Sequence, residues 1–244
     1  MMKPYYNKDG ITIYNKDCLE VMKQFDEKSF DLVLTSPPYE DFNGAGYGGK
    51  TKDILFLKLY SEFFDEVLKQ IARIIRENGQ FYLNLKNKTL NKKLITPHWL
   101  EFIEGFNEFD FKSFVIWKYS GSFDSSKKRL HNDYEIIYHL SKGDDIILNA
   151  DKEDRDPLTS IWYIPHSIKN RLHPVQMPEK VAEKMIRLSS NQSDIILDPF
   201  MGSGTTLVAS KKLGRKAVGI EISKKYCEIA VERLKAIQST LLND

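Results

Sequence analysis

The segment from Ile195 to Glu221 constrains the fold more than any other part of the chain. Ile195-Ile196-Leu197 is a short apolar run that reads as a buried strand. It runs into Asp198-Pro199-Phe200-Met201-Gly202-Ser203-Gly204-Thr205-Thr206, where two glycines let the backbone approach a ligand closely. A helix follows, ends by Gly214 and offers free N–H groups at its start. Lys216 to Ile220 reads as the next strand, with Glu221 at its tip. An acid about twenty positions beyond such a glycine turn is placed to accept hydrogen bonds from ribose hydroxyls. No Lys-Ser or Lys-Thr pair follows the glycines, which argues against a phosphate-binding P-loop. A nucleoside site at the edge of a parallel sheet is the expectation. In a dinucleotide fold this unit opens the chain, whereas here it closes it. The neighbouring strand must then come from elsewhere, and Ile11-Thr12-Ile13-Tyr14, with Asp17 beyond its tip, can supply it. The predicted fold class is therefore α/β and Rossmann-like, with a mostly parallel, circularly permuted sheet whose two ends lie close together.

A second stretch carries its own chemistry. Phe30-Asp31-Leu32-Val33-Leu34 reads as a buried parallel strand. Thr35-Ser36-Pro37-Pro38-Tyr39 follows, and two prolines forbid further ladder hydrogen bonds on their side. The strand stops there, at the edge where open α/β sheets bind ligands. Pro37 fixes the direction of its own carbonyl and of the Ser36 side chain, giving two hydrogen-bond acceptors beside an aromatic ring. Such a site suits a flat group carrying an exocyclic amine. A strand that simply ends in a Pro-Pro turn with a packed tyrosine is the structural alternative.

The remaining elements follow from periodicity. Phe63, Phe64, Val67, Leu68 and Ile71 keep one face apolar in a helix expected from about Leu55 to Arg76, stopped by Asn78-Gly79. Phe81 to Leu85 reads as a strand, and residues 89–106 as another helix. Phe111 to Lys118 and Tyr134 to Leu140 are expected to form an antiparallel hairpin. Residues 40–52 are a glycine-rich loop, and residues 141–172 a polar excursion without clear period. A helix begins at Pro178 or Glu179, and a last one runs from Ser223 to about Gln238.

Composition excludes several classes. The chain has 244 residues, enough for one large domain spanning 1–244, and no apolar run reaches membrane-spanning length. The first residues have no apolar signal core, so a cytoplasmic location is expected. Two cysteines, Cys18 and Cys227, make neither a disulfide framework nor a metal-ligand pattern. A net charge of +2 is too small to identify a nucleic-acid partner by itself. Local clusters such as Lys127, Lys128, Arg129 and His131 are either solvated faces or phosphate contacts.

These motifs together resemble the β-class amino-methylating DNA methyltransferases, and the resemblance covers nearly the whole chain. Asp198 to Thr206 looks like the family's motif I, Ser36 to Tyr39 like its catalytic motif, and His173-Pro174-x-Gln176-x-Pro178 like its motif X. Phe114 to Lys118 and Ile161 to Pro165 are similar to stretches flanking the family's variable region. The resemblance implies S-adenosyl-L-methionine as cofactor, held by Asp17, Cys18, Thr35, His173, Pro174, Gln176, Asp198, Pro199, Phe200, Gly202, Ser203, Gly204, Thr205, Glu221 and Ile222. It implies Ser36, Pro37, Pro38 and Tyr39 as the catalytic group, and no metal. The expected substrate is a base flipped out of duplex DNA. Serine before Pro-Pro-Tyr is usual in the family for cytosine N4 methylation, and aspartate for adenine N6, which stays open as the alternative target. RNA methylation and a catalytically silent DNA-binding module are more distant alternatives. Residues 141–172 are short for a target-recognition region, so loops 40–52 and 119–132 would share that task, with Tyr47, Ser125, Lys127, Lys128 and Arg129 as candidate DNA contacts. A cognate restriction endonuclease and a homodimer are the partners such relatives suggest.

Overall fold

The structure, a computed structural model, describes residues 2–37, 54–85, 88–90, 93–95, 104–119, 133–149, 158–165 and 177–241. Its centre is one nine-stranded sheet. In chain order the strands are β1 (Tyr6–Lys8), β2 (Ile11–Tyr14), β3 (Phe30–Thr35), β4 (Ile75–Leu85), β7 (Asp110–Lys118), β8 (Tyr134–Ser141), β9 (Ile161–Tyr163), β10 (Ile195–Asp198) and β11 (Lys216–Ile220). A separate two-stranded ribbon joins β5 (Lys88–Leu90) to β6 (Lys93–Ile95). The strands lie in the order β1-β2-β11-β10-β3-β4-β8-β7-β9.

The middle of the sheet is parallel. β10 runs beside β11 on one side and β3 on the other, and β3 beside β4. The N-terminal strand β2 pairs in parallel with β11, from Ala217 opposite Ile11 to Ile220 opposite Tyr14. The permuted closure expected from the sequence is therefore present. The hairpin of β7 and β8 is antiparallel and packs antiparallel onto β4.

Among the described residues five α-helices cover the sheet: α1 (Cys18–Met22), α2 (Ile54–Ile74), α3 (Glu179–Ser189), α4 (Thr205–Lys212) and α5 (Lys224–Leu241). Their apolar stripes divide the core in two. Val181, Met185 and Ile186 of α3, Leu207 of α4 and Ala230 of α5 pack with Leu32, Leu34 and Tyr82 on one face. Phe64, Val67, Leu68 and Ile71 of α2 pack with Val33, Phe81 and Leu83 on the other. Alternate residues of β3 and β4 thus bury against opposite layers, as a strand's two-residue period requires.

Three expectations need correction. Residues 88–95 contain the β5–β6 ribbon rather than helix, and Glu104–Glu108 form a single 3-10 turn. The helix expected to reach Arg76 ends at Ile74, because β4 pairs with β3 from Ile75 onward. Asn78 does adopt a left-handed φ of 62°, but within β4, where its N–H donates to the Lys142 carbonyl at 2.8 Å. The polar excursion after β8 is not wholly irregular, since β9 adds a parallel strand beside β7. Three residues with Trp162 buried between exposed Ile161 and Tyr163 are too short to show a period. Among the described residues no helix is long and apolar enough to cross a membrane.

Candidate active site

The sheet divides its crossovers between β10 and β3. The chain leaving β10 returns through α4 on one face, and the chain leaving β3 returns through α2 on the other. A crevice opens where such connections part. Asp198, the last residue of β10, sits at its floor and is 4% exposed. One carboxyl oxygen accepts from Thr35 Oγ1 of β3 at 2.8 Å and from the Phe200 N–H at 3.1 Å. The other accepts from Thr206 Oγ1 of α4 at 2.6 Å. Asp198 therefore ties both strands and the glycine turn together from beneath. Burial pushes its carboxyl up to about 6, against the pull of these donors.

The turn above it is held open by its glycines. Gly202 and Gly204 have φ of 51° and 79°, in the left-handed region. A Cβ on Gly204 would meet Ala230 Cβ of α5 at 2.7 Å, so the close helix approach also demands glycine there. Glu221, 4% exposed, accepts from the Gly202 N–H at 3.1 Å and from the Ser223 N–H at 2.7 Å. Beside it Ile222 is 57% exposed, an apolar surface at the crevice mouth. Asp17 lies beyond the adjoining strand and caps α1 through one oxygen, accepting from the Leu19 and Glu20 N–H groups at 2.9 and 3.1 Å. Asp17, Glu221 and Ile222 thus follow the ends of the paired strands β2 and β11, where the Glu221 N–H donates to the Tyr14 carbonyl at 3.0 Å. Cys18 next to Asp17 is buried, and burial with the Asp17 and Glu221 charges pushes its thiol up to about 12, so it cannot serve as a thiolate.

Sequence reasoning missed two supports of this half-site. Asn15 Nδ2 donates to the carbonyls of Glu221 and Ile222, each at 2.9 Å, and so fixes β2 to the tip of β11. Arg233 of α5 donates to the Ser203 carbonyl at 2.6 Å, to Ser203 Oγ and Thr205 Oγ1 at 3.3 Å, and to Glu179 at 2.7 Å. Lys212 pairs with the same glutamate. Burial alone would raise Glu179, but these two cations outweigh it and hold its carboxyl below the usual range. Arg233 thus clamps the glycine turn to the start of α3. Nothing in its local sequence signals this, because the partners are 28 to 54 positions away.

The other half of the crevice lies at the end of β3. Ser36 is half-buried and Pro37 buried just past the last ladder pair, Thr35 beside Leu83. Thr35, a predicted cofactor residue, is joined to Asp198 as described. Phe200 packs edge-on against Phe63 of α2, with centroids 6.3 Å apart. Pro38, Tyr39, Tyr47, Ser125, Lys127, Lys128, Arg129, His173, Pro174 and Gln176 lie outside the described residues.

Residues 30–232 match the family model described as DNA methylase, of the N6 and N4 methyltransferases. The chain belongs to this DNA methylase family. The methyltransferase is 30% identical to the type II methyltransferase M.HpaI of Haemophilus parainfluenzae over 89% of its own length and 72% of the relative's. It is 32% identical to the orphan methyltransferase M.BamHII of Bacillus amyloliquefaciens, over 85% and 89% of the two chains. It is 28% identical to the DNA adenine methyltransferase YhdJ of Escherichia coli K12, over 94% and 84%. Among solved structures, the cytosine-N4-specific PvuII DNA methyltransferase superposes with a TM-score of 0.81, covering 95% and 88% at 21% identity. The M1.HpyAVI complex with S-adenosylmethionine gives 0.65, covering 92% and 99% at 26% identity. The methyltransferase therefore uses S-adenosylmethionine and acts on DNA.

Proposed function

We propose that the methyltransferase transfers a methyl group to the exocyclic N4 amine of cytosine in duplex DNA. The observation carrying this reading is serine at position 36, at the end of β3 and followed by Pro37. In the family that residue accompanies N4-cytosine methylation. The flipped base would stack on Tyr39, while Ser36 Oγ and the Pro37 carbonyl accept hydrogen bonds from its amine. Holding both N–H groups in this way turns the nitrogen lone pair out of ring conjugation, and the rate enhancement comes largely from that positioning. A serine hydroxyl is a poor base near neutral pH, so Ser36 orients rather than deprotonates.

Glu221, Asp17 and the surface of Ile222 would hold the nucleoside end of the cofactor, and Phe200 with the residues of the 173–178 stretch its methionine end. When bound, S-adenosylmethionine would supply an electrophilic sulfonium methyl; the amine nitrogen would form the new N–C bond, sulfur would keep the C–S electron pair, and the amine's surplus proton would leave to water. Residues 141–172, Tyr47 and the stretch from Ser125 to Arg129 would read the target sequence. A cognate endonuclease and a homodimer belong to the same reading.

The similarity to YhdJ supports adenine N6 as the second target, since both bases offer the same amine geometry. Nucleoside mass spectrometry of mixed-sequence duplex DNA incubated with enzyme and cofactor separates them. N4-methylcytosine is the expected product; N6-methyladenine in its place would overturn the assignment of the base.

A further inference from the structure

Ser36 by itself is ambiguous, because a hydroxyl donates as readily as it accepts. Something must take its proton if its lone pairs are to face an amine. The structure holds one unpartnered acceptor nearby. Asn84 of β4 is 3% exposed, and its Oδ1 is the one buried side-chain polar atom among the described residues that has no hydrogen-bond partner. A buried orphan of this kind calls for a ligand or a rearrangement.

Its place follows from the register. Thr35 lies beside Leu83 in the parallel β3–β4 ladder, so the next positions on each strand, Ser36 and Asn84, are neighbours. Adjacent strands run about 4.8 Å apart, within reach of a serine and an asparagine side chain. Alternation puts both on one face, since Leu34 and Tyr82, two residues earlier, pack in the same core layer. Among the described residues Ser36 makes no hydrogen bond that would hold its hydroxyl elsewhere.

The orientation of the amide is also fixed. Asn84 Nδ2 donates to Glu135 Oε2 of β8 at 3.1 Å, and Glu135 is itself buried. Flipping the amide would set two acceptors against each other, so Oδ1 faces away from Glu135. Glu135 lies opposite Trp117 in the β7–β8 ladder, and Trp117 packs against Tyr119 with ring centroids 5.2 Å apart.

Resting on the reaction proposed above, we propose that Asn84 is a positioning residue for Ser36, and Glu135 the anchor that orients Asn84. Asn84 Oδ1 takes the Ser36 hydroxyl proton as a hydrogen bond when the target base enters. Ser36 is then left with acceptor lone pairs only on the side of the exocyclic amine. No covalent bond changes in this step.

The test is a double-mutant cycle on the full-length enzyme, read as single-turnover methyl transfer with excess enzyme over times long enough for slow variants. Asn84→Ala should lower the rate at least tenfold in the wild-type background and less than twofold in a Ser36→Ala background. Cofactor affinity by calorimetry should stay within twofold. Glu135→Gln, whose carbonyl still accepts from Nδ2, should keep the rate within threefold, whereas Glu135→Ala should lose as much as Asn84→Ala. Equal losses in both serine backgrounds, or an unimpaired Asn84→Ala, would overturn the proposal. If Ser36→Ala transfers no measurable methyl, the single variants decide: a rate loss accompanied by weakened cofactor binding would overturn the proposal, and a rate loss without one would support it. A wild-type chain that moves no methyl group overturns the underlying reaction and this inference with it, whereas an active wild type matched by Asn84→Ala overturns the inference alone.

Discussion

Asp198 makes the enzyme's stability depend on pH in a direction opposite to most carboxylates. Burial raises its carboxyl from the ordinary 3.8 to about 6, and the nearby Glu221 charge adds to the rise. Below pH 3.8 the group is protonated in folded and unfolded chains alike, and its stabilising contribution is complete. Between 3.8 and 6 only the unfolded chain ionises, so stability falls as pH rises. Above 6 the loss levels off at about 3 kcal/mol, from roughly two units at about 1.4 kcal/mol each. Asp198→Asn removes this dependence. It also removes an acceptor, because an amide presents one oxygen to the two threonine hydroxyls and the Phe200 N–H, at an offset of about 1–2 kcal/mol that does not change with pH. Urea unfolding of wild type and variant from about pH 4.5 to 7.5 measures the difference. The gap between them should move in the variant's favour by about 2 kcal/mol across that range. Curves that stay parallel would refute the claim that a charge is being forced into the floor of the crevice.

Other expectations follow from the same geometry. Glu221→Gln should weaken cofactor binding by about 10- to 100-fold, the worth of one charge-assisted hydrogen bond, with calorimetry as the measurement. Arg233→Met should lower the melting temperature by about 5 °C, from roughly 2 kcal/mol of lost charged hydrogen bonds, and should weaken cofactor binding through the loosened glycine turn. Gly204→Ala should be more damaging than a usual glycine substitution, by over about 1 kcal/mol, since it adds strain at a positive φ to a clash with Ala230; thermal unfolding tests it.

What the sequence made legible, and what it hid, follows the range of the interactions. The glycine turn, the two acids and the Ser-Pro-Pro stop are local patterns in which each residue's conformational constraint is visible from its neighbours. The parallel pairing of β2 with β11 was also within reach, because a sheet that must continue has few strands left to continue it. The β5–β6 ribbon was not, since its three-residue strands offer no period to read. Helix α2 was overextended for a related reason. Ile75 prolongs the apolar stripe, yet its backbone hydrogen-bonds to β3, and ladder pairing overrides helical periodicity there. The supports of the site were the least visible. Arg233, Asn15 and the Asn84–Glu135 pair act across 28 to 207 positions. Asn84 alone left a trace: one amide inside the otherwise apolar strand Phe81-Tyr82-Leu83-Asn84-Leu85. A buried polar residue on a strand that ends beside a catalytic motif is costly unless it is satisfied. That cost points to a partner gained in the bound state, where the incoming amine occupies the Ser36 lone pairs and turns the Ser36 hydroxyl proton toward Asn84.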